Sequence, residues 1–282
     1  MNFSNTKADL FIPDSSSGET TLARTTHLGV GAHQDDLEFM ALHGILECFQ
    51  RSDRWFGGVT CTDGAGSSRT GPYASFTDEQ MKAIRVQEQK TAAVIGQYSF
   101  MAQLAHPSAV SKNADQRIAM IDDLEAILKT AQPEVVYTHN PFDKHATHIG
   151  VFHALLAAIL RLPENERPKQ LIGCEVWRGL DWLPDDLKLV LPLDGHPNLA
   201  ASLNGVFDSQ IVGGKRYDLA VEGRRLANAT FFDSHSSDAA QRIAYTLDLS
   251  ELMSGEVSVE DYCQRILNRF NQEVLQGIGF SA

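Results

Sequence analysis

The sequence predicts an α/β fold, a Rossmann-like, mostly parallel sheet flanked by helices, with a C-terminal α/β elaboration. Three observations predict it. Strand-like and helix-like runs alternate four times between residues 27 and 162, the order that β-α-β crossovers require. Beyond Pro163 that alternation gives way to a different order of strands and helices. The 282 residues, 43% of them hydrophobic, are enough for one large α/β domain.

Residues 1–25 read as an N-terminal arm, polar and serine-rich near "DSSSGET", with a small apolar patch at Leu10, Phe11 and Ile12; residues 26–282 read as a single domain. "HLGVGAH" (27–33) is a strand, and "LEFMALHGILECFQ" (37–50) is an amphipathic helix with apolar residues at helical spacing. "WFGGVTCT" (55–62) is a second strand, followed by the Gly/Ser-rich loop "DGAGSSRTGPYASF" (63–76). A helix over 77–96 is opened by Thr77 or Asp78 and closed by Gly96. A strand near "YSFMAQL" (98–104), a helix over 113–132, the strand "EVVYTH" (134–139), a polar turn "NPFDKH" (140–145) and a helix over 146–162 complete the series. Past it, "QLIGCEVWRGL" (170–180) and "LKLVLPL" (187–193) are strands, with helices near 197–207, 216–230 and 259–275.

A net charge of -12 argues against nucleic acid or an anionic membrane as the partner, because phosphate binding needs a basic footprint. No apolar run has transmembrane length, and the first twenty residues lack the basic and apolar regions of a signal peptide. The four cysteines are scattered, with no C-x-x-C pair, which fits free thiols in a reducing compartment. The expectation is a cytoplasmic protein acting on a small molecule, with a homo-oligomer left open.

Ligands of parallel α/β folds sit outside the carboxyl ends of the strands. His33-Gln34-Asp35-Asp36, Thr62-Asp63-Gly64 and the stretch from His139 to His148 all fall at such ends. His33 and Asp36 offer a nitrogen and an oxygen at a strand-to-helix turn, and His145 and His148 share one helical face at i,i+3 spacing. A His/Asp/His set leaves a fourth position open, the pattern of a catalytic zinc site, where bound water titrates at roughly pH 7. Asp35 beside it is placed to take that water's proton. Read singly, Asp35 and Asp36 also suit the acidic first turn of a helix, and His145 and His148 suit a solvated helix face. The coincidence of both clusters at strand ends of one sheet favours the metal.

"AHQDDLE" (32–38) resembles the A-H-P-D-D-x-E signature of the PIG-L/LmbE-like zinc deacetylases, and "THNPFDKHATH" (138–148) resembles their D-x-H-x-x-H motif. "VTCTDG" (59–64) and "RVQEQKTAAVIG" (85–96) are similar to the segments between, so the likeness spans about 27–155. The resemblance implies one zinc ion per chain, another divalent metal being admissible, and removal of an acyl group, usually acetyl, from an N-acylated amino sugar. It implies His33, Asp36 and His148 as ligands, Asp35 as general base and His145 as the group that polarises the carbonyl. Arg85 would reach substrate hydroxyls, with Asp63 and Gly64 on the substrate rim. Asp143 would orient His145; Glu38, in the first helix, reads equally as an acid behind the ligands or on the sugar and as a surface acid offsetting the helix dipole. Gln34 replaces the usual proline, which would loosen the turn, and Ala146-Thr147 replace the usual Pro-Asp. An amidase of a thiol-sugar conjugate or a glycosylated natural product fits the same residues; so does a non-catalytic sugar-sensing domain.

Overall fold

The structure is a computed structural model that describes residues 1–14, 16 and 18–279. Its strands are β1 (Asp9–Phe11), β2 (His27–Gly31), β3 (Phe56–Thr62), β4 (Phe100–His106), β5 (Val135–His139), β6 (Gln170–Cys174), β7 (Leu189–Pro192) and β8 (Ile243–Asp248). Among the described residues they form one eight-stranded sheet in the order β1-β4-β3-β2-β5-β6-β8-β7. The five central strands run parallel; β1 is antiparallel to β4, and β8 is antiparallel to both β6 and β7. This is the mixed α/β sheet the alternation predicts.

Helices cover both faces, so β2 and β3 are buried along their whole length. One core packs Val30, Val59, Ala102 and Val136 under the Ile118–Ala131 and Ala146–Arg161 helices. The other gathers Phe56, Met101, Tyr137 and Ile172 with Leu37, Ile45 and Leu203. Gly150, in the Ala146–Arg161 helix, allows a very close approach: a Cβ there would lie 2.1 Å from the Ser111 carbonyl oxygen.

Strand order reverses at β2, which pairs with β3 on one side and β5 on the other. Loops leaving β2 and β5 therefore diverge at the same end of the sheet and open a crevice between them, the usual ligand position in such sheets. Both histidine-bearing motifs leave the sheet there.

Several elements differ from the sequence reading. Within the stretch read as an arm, Asp9–Phe11 pairs with β4, while Leu22 enters the core. Ser15 and Ser17 of its serine-rich part lie outside the described residues. The expected helix over 37–50 is two short helices, Asp36–Met40 and Leu42–Cys48, broken at Ala41. The strand expected over 170–180 stops at Cys174, because Glu175 turns its carboxylate back to the Leu180 N–H. β8 has no counterpart in that reading; its pairing with β6 and β7 is a long-range contact that local periodicity does not register.

Candidate metal centre and cavity

β2 ends at Gly31, and the chain turns sharply into the Asp36–Met40 helix. Asp36 makes the turn: its Oδ2 accepts the N–H groups of Ala32 (3.0 Å) and His33 (2.7 Å), folding the carboxylate back over the strand end. Asp35 is left with φ 103°, a backbone that residues with a Cβ rarely adopt. Three contacts hold it there. Its N–H donates to Gln89 Oε1 at 3.2 Å, Arg85 Nη2 lies 3.5 Å from its Oδ1, and the same Nη2 donates to the Gln34 carbonyl at 2.5 Å.

Gln34 does not loosen this turn. It is buried, and its Nε2 donates to Thr62 O (3.3 Å) and Gln103 Oε1 (3.1 Å), tying the turn to the ends of β3 and β4. Glu38 is fully buried behind it, accepting from Gln89 Nε2 at 2.8 Å and Tyr98 Oη at 2.7 Å. Glu38 thus fixes the glutamine that holds the Asp35 backbone. Burial raises the Glu38 carboxyl to about 7, against the two hydrogen bonds that lower it.

From β5, the turn 140–145 delivers His148 in the first turn of the Ala146–Arg161 helix. Asp143 Oδ2 lies 3.0 Å from His148 Nδ1, which fixes that imidazole and leaves Nε2 to face the β2 turn. His148 Nε2 is 3.3 Å from His33 Nδ1 and 3.5 Å from Asp36 Oδ1, and His33 Nδ1 is 3.3 Å from Asp36 Oδ2. Four-coordinate zinc with bonds of about 2.0–2.1 Å needs donors about 3.3–3.4 Å apart. The two nitrogens meet that requirement with each other, each lies beside a different oxygen of Asp36, and the N/N/O chemistry suits a divalent ion.

Two overlapping donor groups share His148: one with His33 and His145, the other with Asp36 and His139, the donor atoms of each lying within 4.8 Å of one another. His139 is fully buried and stacked on His148, with ring centroids 3.8 Å apart. Its Nε2 accepts the Ala32 N–H at 2.9 Å, so that lone pair is already used. His139 forms a wall behind His148.

The electrostatics follow the packing. Burial would raise Asp36, but His148 and His139 outweigh it and hold the carboxyl well below the ordinary range. Burial drives Asp35 the other way, well above that range, with Arg85 opposing. Burial lowers His33 and His139 to about 4 each and lowers His145 as well. For His148, Asp36 and Asp143 overcome burial and raise the pKa.

Part of this cluster floors a cavity of about 580 Å³, with His139 and His148 buried behind it. His33, Asp35, Asp36, Gly64, Arg85 and His145 all line it. Gly64 has φ +69°, and its carbonyl accepts from Arg85 Nη1 at 3.3 Å. Asp63 is not part of it: it pairs with Lys82 at 3.1 Å and lines a separate surface cavity of about 880 Å³. Asp143 also departs from expectation, since its carboxylate serves the His148 ring, while His145 gives it only a backbone N–H at 3.1 Å. His145 Nδ1 has no hydrogen-bond partner. His235 is exposed and away from the cavity, and Arg69 is pinned within its own loop.

The far wall comes from the C-terminal part: Trp177, Lys215, Tyr217 and Arg224, with Val176 and Val221. Trp177 stacks on His145 at 5.9 Å and meets Tyr217 edge-on at 6.2 Å. Of the two tryptophans in "CEVWRGLDWLP", Trp177 reaches the cavity, whereas Trp182 packs between Phe142 and Phe270. The aromatic and basic composition of that segment was the available signal; nothing local tells which ring faces the site.

Residues 28–159 match the family model PIG-L, described as GlcNAc-PI de-N-acetylase. That stretch, just under half of the chain, is what is similar to PIG-L. The matched PIG-L segment holds both histidine motifs but not the Trp177–Arg224 wall. No curated protein matches the chain. Among solved structures it is similar to N,N'-diacetylchitobiose deacetylase from Pyrococcus horikoshii, with TM-score 0.63 and 15% identity, covering 84% of this chain and 88% of that one. It is also similar to a conserved protein of Thermus thermophilus (TM-score 0.61, 18% identity, 80% and 94% covered). A third is the 4-carboxy-2-hydroxymuconate hydratase of Pseudomonas putida (TM-score 0.60, 17% identity, 80% and 96% covered). At these identities the likeness is one of fold. Among the described residues no helix is long and apolar enough to cross a membrane, and the four cysteines are free.

Proposed function

We propose that the protein is a metal-dependent hydrolase that removes an acetyl or other acyl group from an N-acylated amino sugar or its conjugate. One observation carries the reading: His33 Nδ1 and His148 Nε2 lie 3.3 Å apart, each within 3.3–3.5 Å of one oxygen of the Asp36 carboxylate, with Asp35 in the adjoining cavity wall. In it, His33, Asp36 and His148 hold the ion, zinc for preference. When bound, such an ion acidifies water and polarises a carbonyl.

Asp35 is the general base. Burial raises its pKa above the usual carboxylate range, which makes it a better proton acceptor than an exposed aspartate. Arg85 beneath opposes that rise and aims the carboxylate. Burial lowers the His145 pKa, so its ring is neutral when substrate enters and can hydrogen-bond the developing oxyanion through its N–H. The proton taken up by Asp35 is the one available to the leaving amine. The His145 Nδ1 has no other partner, so no protein group competes for it. Asp143 holds the His148 tautomer, and Glu38, through Gln89, holds the Asp35 backbone. Gly64 brings backbone to the rim where a side chain would crowd Gln34 and Arg85.

The hydratase among the similar structures means that this fold also carries a different reaction. A sensing domain would need a metal site without Asp35; here the buried carboxylate stands beside the donor set, which favours turnover. The test is metal content together with acetate release from N-acetylglucosamine and N,N'-diacetylchitobiose, against His148→Ala. One ion per chain and acetate release, both lost in the variant, are expected. Retained metal with no release from any N-acyl sugar would overturn the deacetylase reading.

A further inference from the structure

The cavity of about 880 Å³ that Asp63 lines has no part in the chemistry above, yet it adjoins the same β2 turn. Gln34 lines it, while the neighbours of Gln34 in the chain, His33 and Asp35, line the other cavity. His106 enters its wall through an irregularity in β4. Between the pairs Thr60–Gln103 and Thr62–His106, β4 carries one residue more than β3, and Ala105 takes φ 55°. A bulge of this kind re-aims the side chain beside it. The N-terminal segment holds it in place, with Asn5 Nδ2 donating to the Ala105 carbonyl at 2.6 Å.

His106 is buried, and one ring nitrogen is spoken for. Its Nε2 lies 3.0 Å from Oδ2 of Asp123, in the Ile118–Ala131 helix. Asp123 Oδ1 accepts the Ser4 N–H at 2.7 Å and the Ser4 hydroxyl at 2.9 Å. Burial would raise the Asp123 carboxyl, but the hydrogen bonds from His106 and Ser4 outweigh it and lower the pKa. An ionised Asp123 keeps the imidazole proton on Nε2. The neutral ring then carries its lone pair on Nδ1, which no described residue takes up.

The charges around this cavity cancel among themselves. Lys82 pairs with Asp63 at 3.1 Å and Glu79 at 2.9 Å, Lys7 reaches Glu79 at 3.7 Å, and Lys90 holds Asp9 at 2.9 Å. The lining groups left without a hydrogen-bond partner among the described residues include neutral ones: His106 Nδ1, the Thr6 hydroxyl and the Gln87 amide. Ala83, Val86 and Pro107 add apolar surface beside them. A ligand matching this set is uncharged, both gives and accepts hydroxyl hydrogen bonds, and has C–H faces for the apolar wall.

We propose that this cavity is a second binding site, for a neutral polyhydroxylated molecule of the sugar class, with His106 Nδ1 accepting one of its hydroxyls. Binding there needs neither metal nor turnover, so it stands or falls apart from the deacylase reading.

The zinc-loaded full chain, isotope-labelled at histidine, is titrated with methyl glucoside, a neutral polyol with no amide to cleave. Histidine ring resonances are followed by NMR, and His106→Gln, whose amide can still donate to Asp123, identifies the His106 signal. We expect that signal to shift saturably while those of His33, His145 and His148 stay in place. Ala83 is exposed on the Asp78–Ile95 helix, so Ala83→Trp fills the cavity mouth without entering the core; it should raise Kd by about tenfold or more. Glucosamine and glucuronate should bind there no tighter than methyl glucoside. No shift of His106 up to the solubility limit, shifts confined to His33 or His145, or undiminished binding in Ala83→Trp would overturn the site. A charged sugar preferred by about tenfold would overturn the neutral class.

Discussion

Asp35 joins an uncommon backbone to a buried carboxylate. A φ of 103° costs about 1–3 kcal/mol in a residue with a Cβ, and Gln89 and Arg85 hold it against that cost. Asn fits the same space and keeps the turn, so Asp35→Asn isolates the base. Acetate release should drop by roughly 10²–10⁴-fold with zinc content unchanged; undiminished release would remove Asp35 from that role. His27 gives the molecule an acid limit of a different origin. Burial, with Arg54, lowers its pKa to about 4, so the folded state stays neutral where the unfolded chain, at 6.5, takes a proton. Its contribution to stability is present above pH 6.5 and drains as pH falls toward 4. Urea unfolding at pH 7 and pH 5 should show that loss shrinking by about 2 kcal/mol in His27→Gln; an unchanged loss would assign the acid limit to other groups. At this scale the sequence is informative about residue types and poor about aim. His33, Asp36 and His148 converge as their motif spacing implies. Asp143 stands two residues before His145 yet directs its carboxylate five residues on, to His148, because the helix begins between them.

The Ala146–Arg161 helix carries His148, and its seat depends on contacts that no ligand motif records. Its Gly150 packs directly on the backbone of Ser111, in the Ser108–Lys112 helix that also brings Ser108 and Lys112 to the cavity. A methyl group 2.1 Å from the Ser111 carbonyl oxygen cannot be absorbed by a rotamer change, since the obstacle is backbone. Gly150→Ala should therefore cost at least about 1–3 kcal/mol in urea unfolding, where helix propensity alone would make Ala the better residue by roughly 1 kcal/mol. Stabilisation by that substitution would mean the two helices are not packed as described. The Asp78–Ile95 helix shows the opposite case, legible at both ends. Thr77 and Gln80 form a reciprocal capping box, and Gly96 closes the last turn, as the run "TDEQ…VIG" implies. The break at Ala41 was not legible, because Leu37, Met40, Leu42 and Ile45 keep helical spacing straight through it.

Across the whole molecule, legibility follows sequence separation. The parallel half of the sheet is written locally, as alternating strands and helices, and its reversal at β2 brings the motifs at 33–36 and 143–148 to one crevice. The antiparallel edge and the Trp177–Arg224 wall depend on β8 crossing back to β6 and β7 and on the Tyr217–Phe231 helix packing near it; no short-range pattern encodes either. The candidate metal centre joins these levels, because its donors come from two segments more than a hundred residues apart on adjacent strands. An ion there binds the folded chain and not the unfolded one, so it should stabilise the whole domain by mass action. At a hundred times its dissociation constant, zinc adds about 2.7 kcal/mol. For a domain of this size that raises Tm by roughly 5 °C. Differential scanning of chelator-treated protein with and without zinc should show this shift in the unmutated chain and in Asp35→Asn, whose carboxylate is outside the donor set. It should vanish in His148→Ala. A full shift surviving in His148→Ala would put the ion on other residues, whereas loss of the shift in Asp35→Asn would make that carboxylate a ligand and leave the base still to be found.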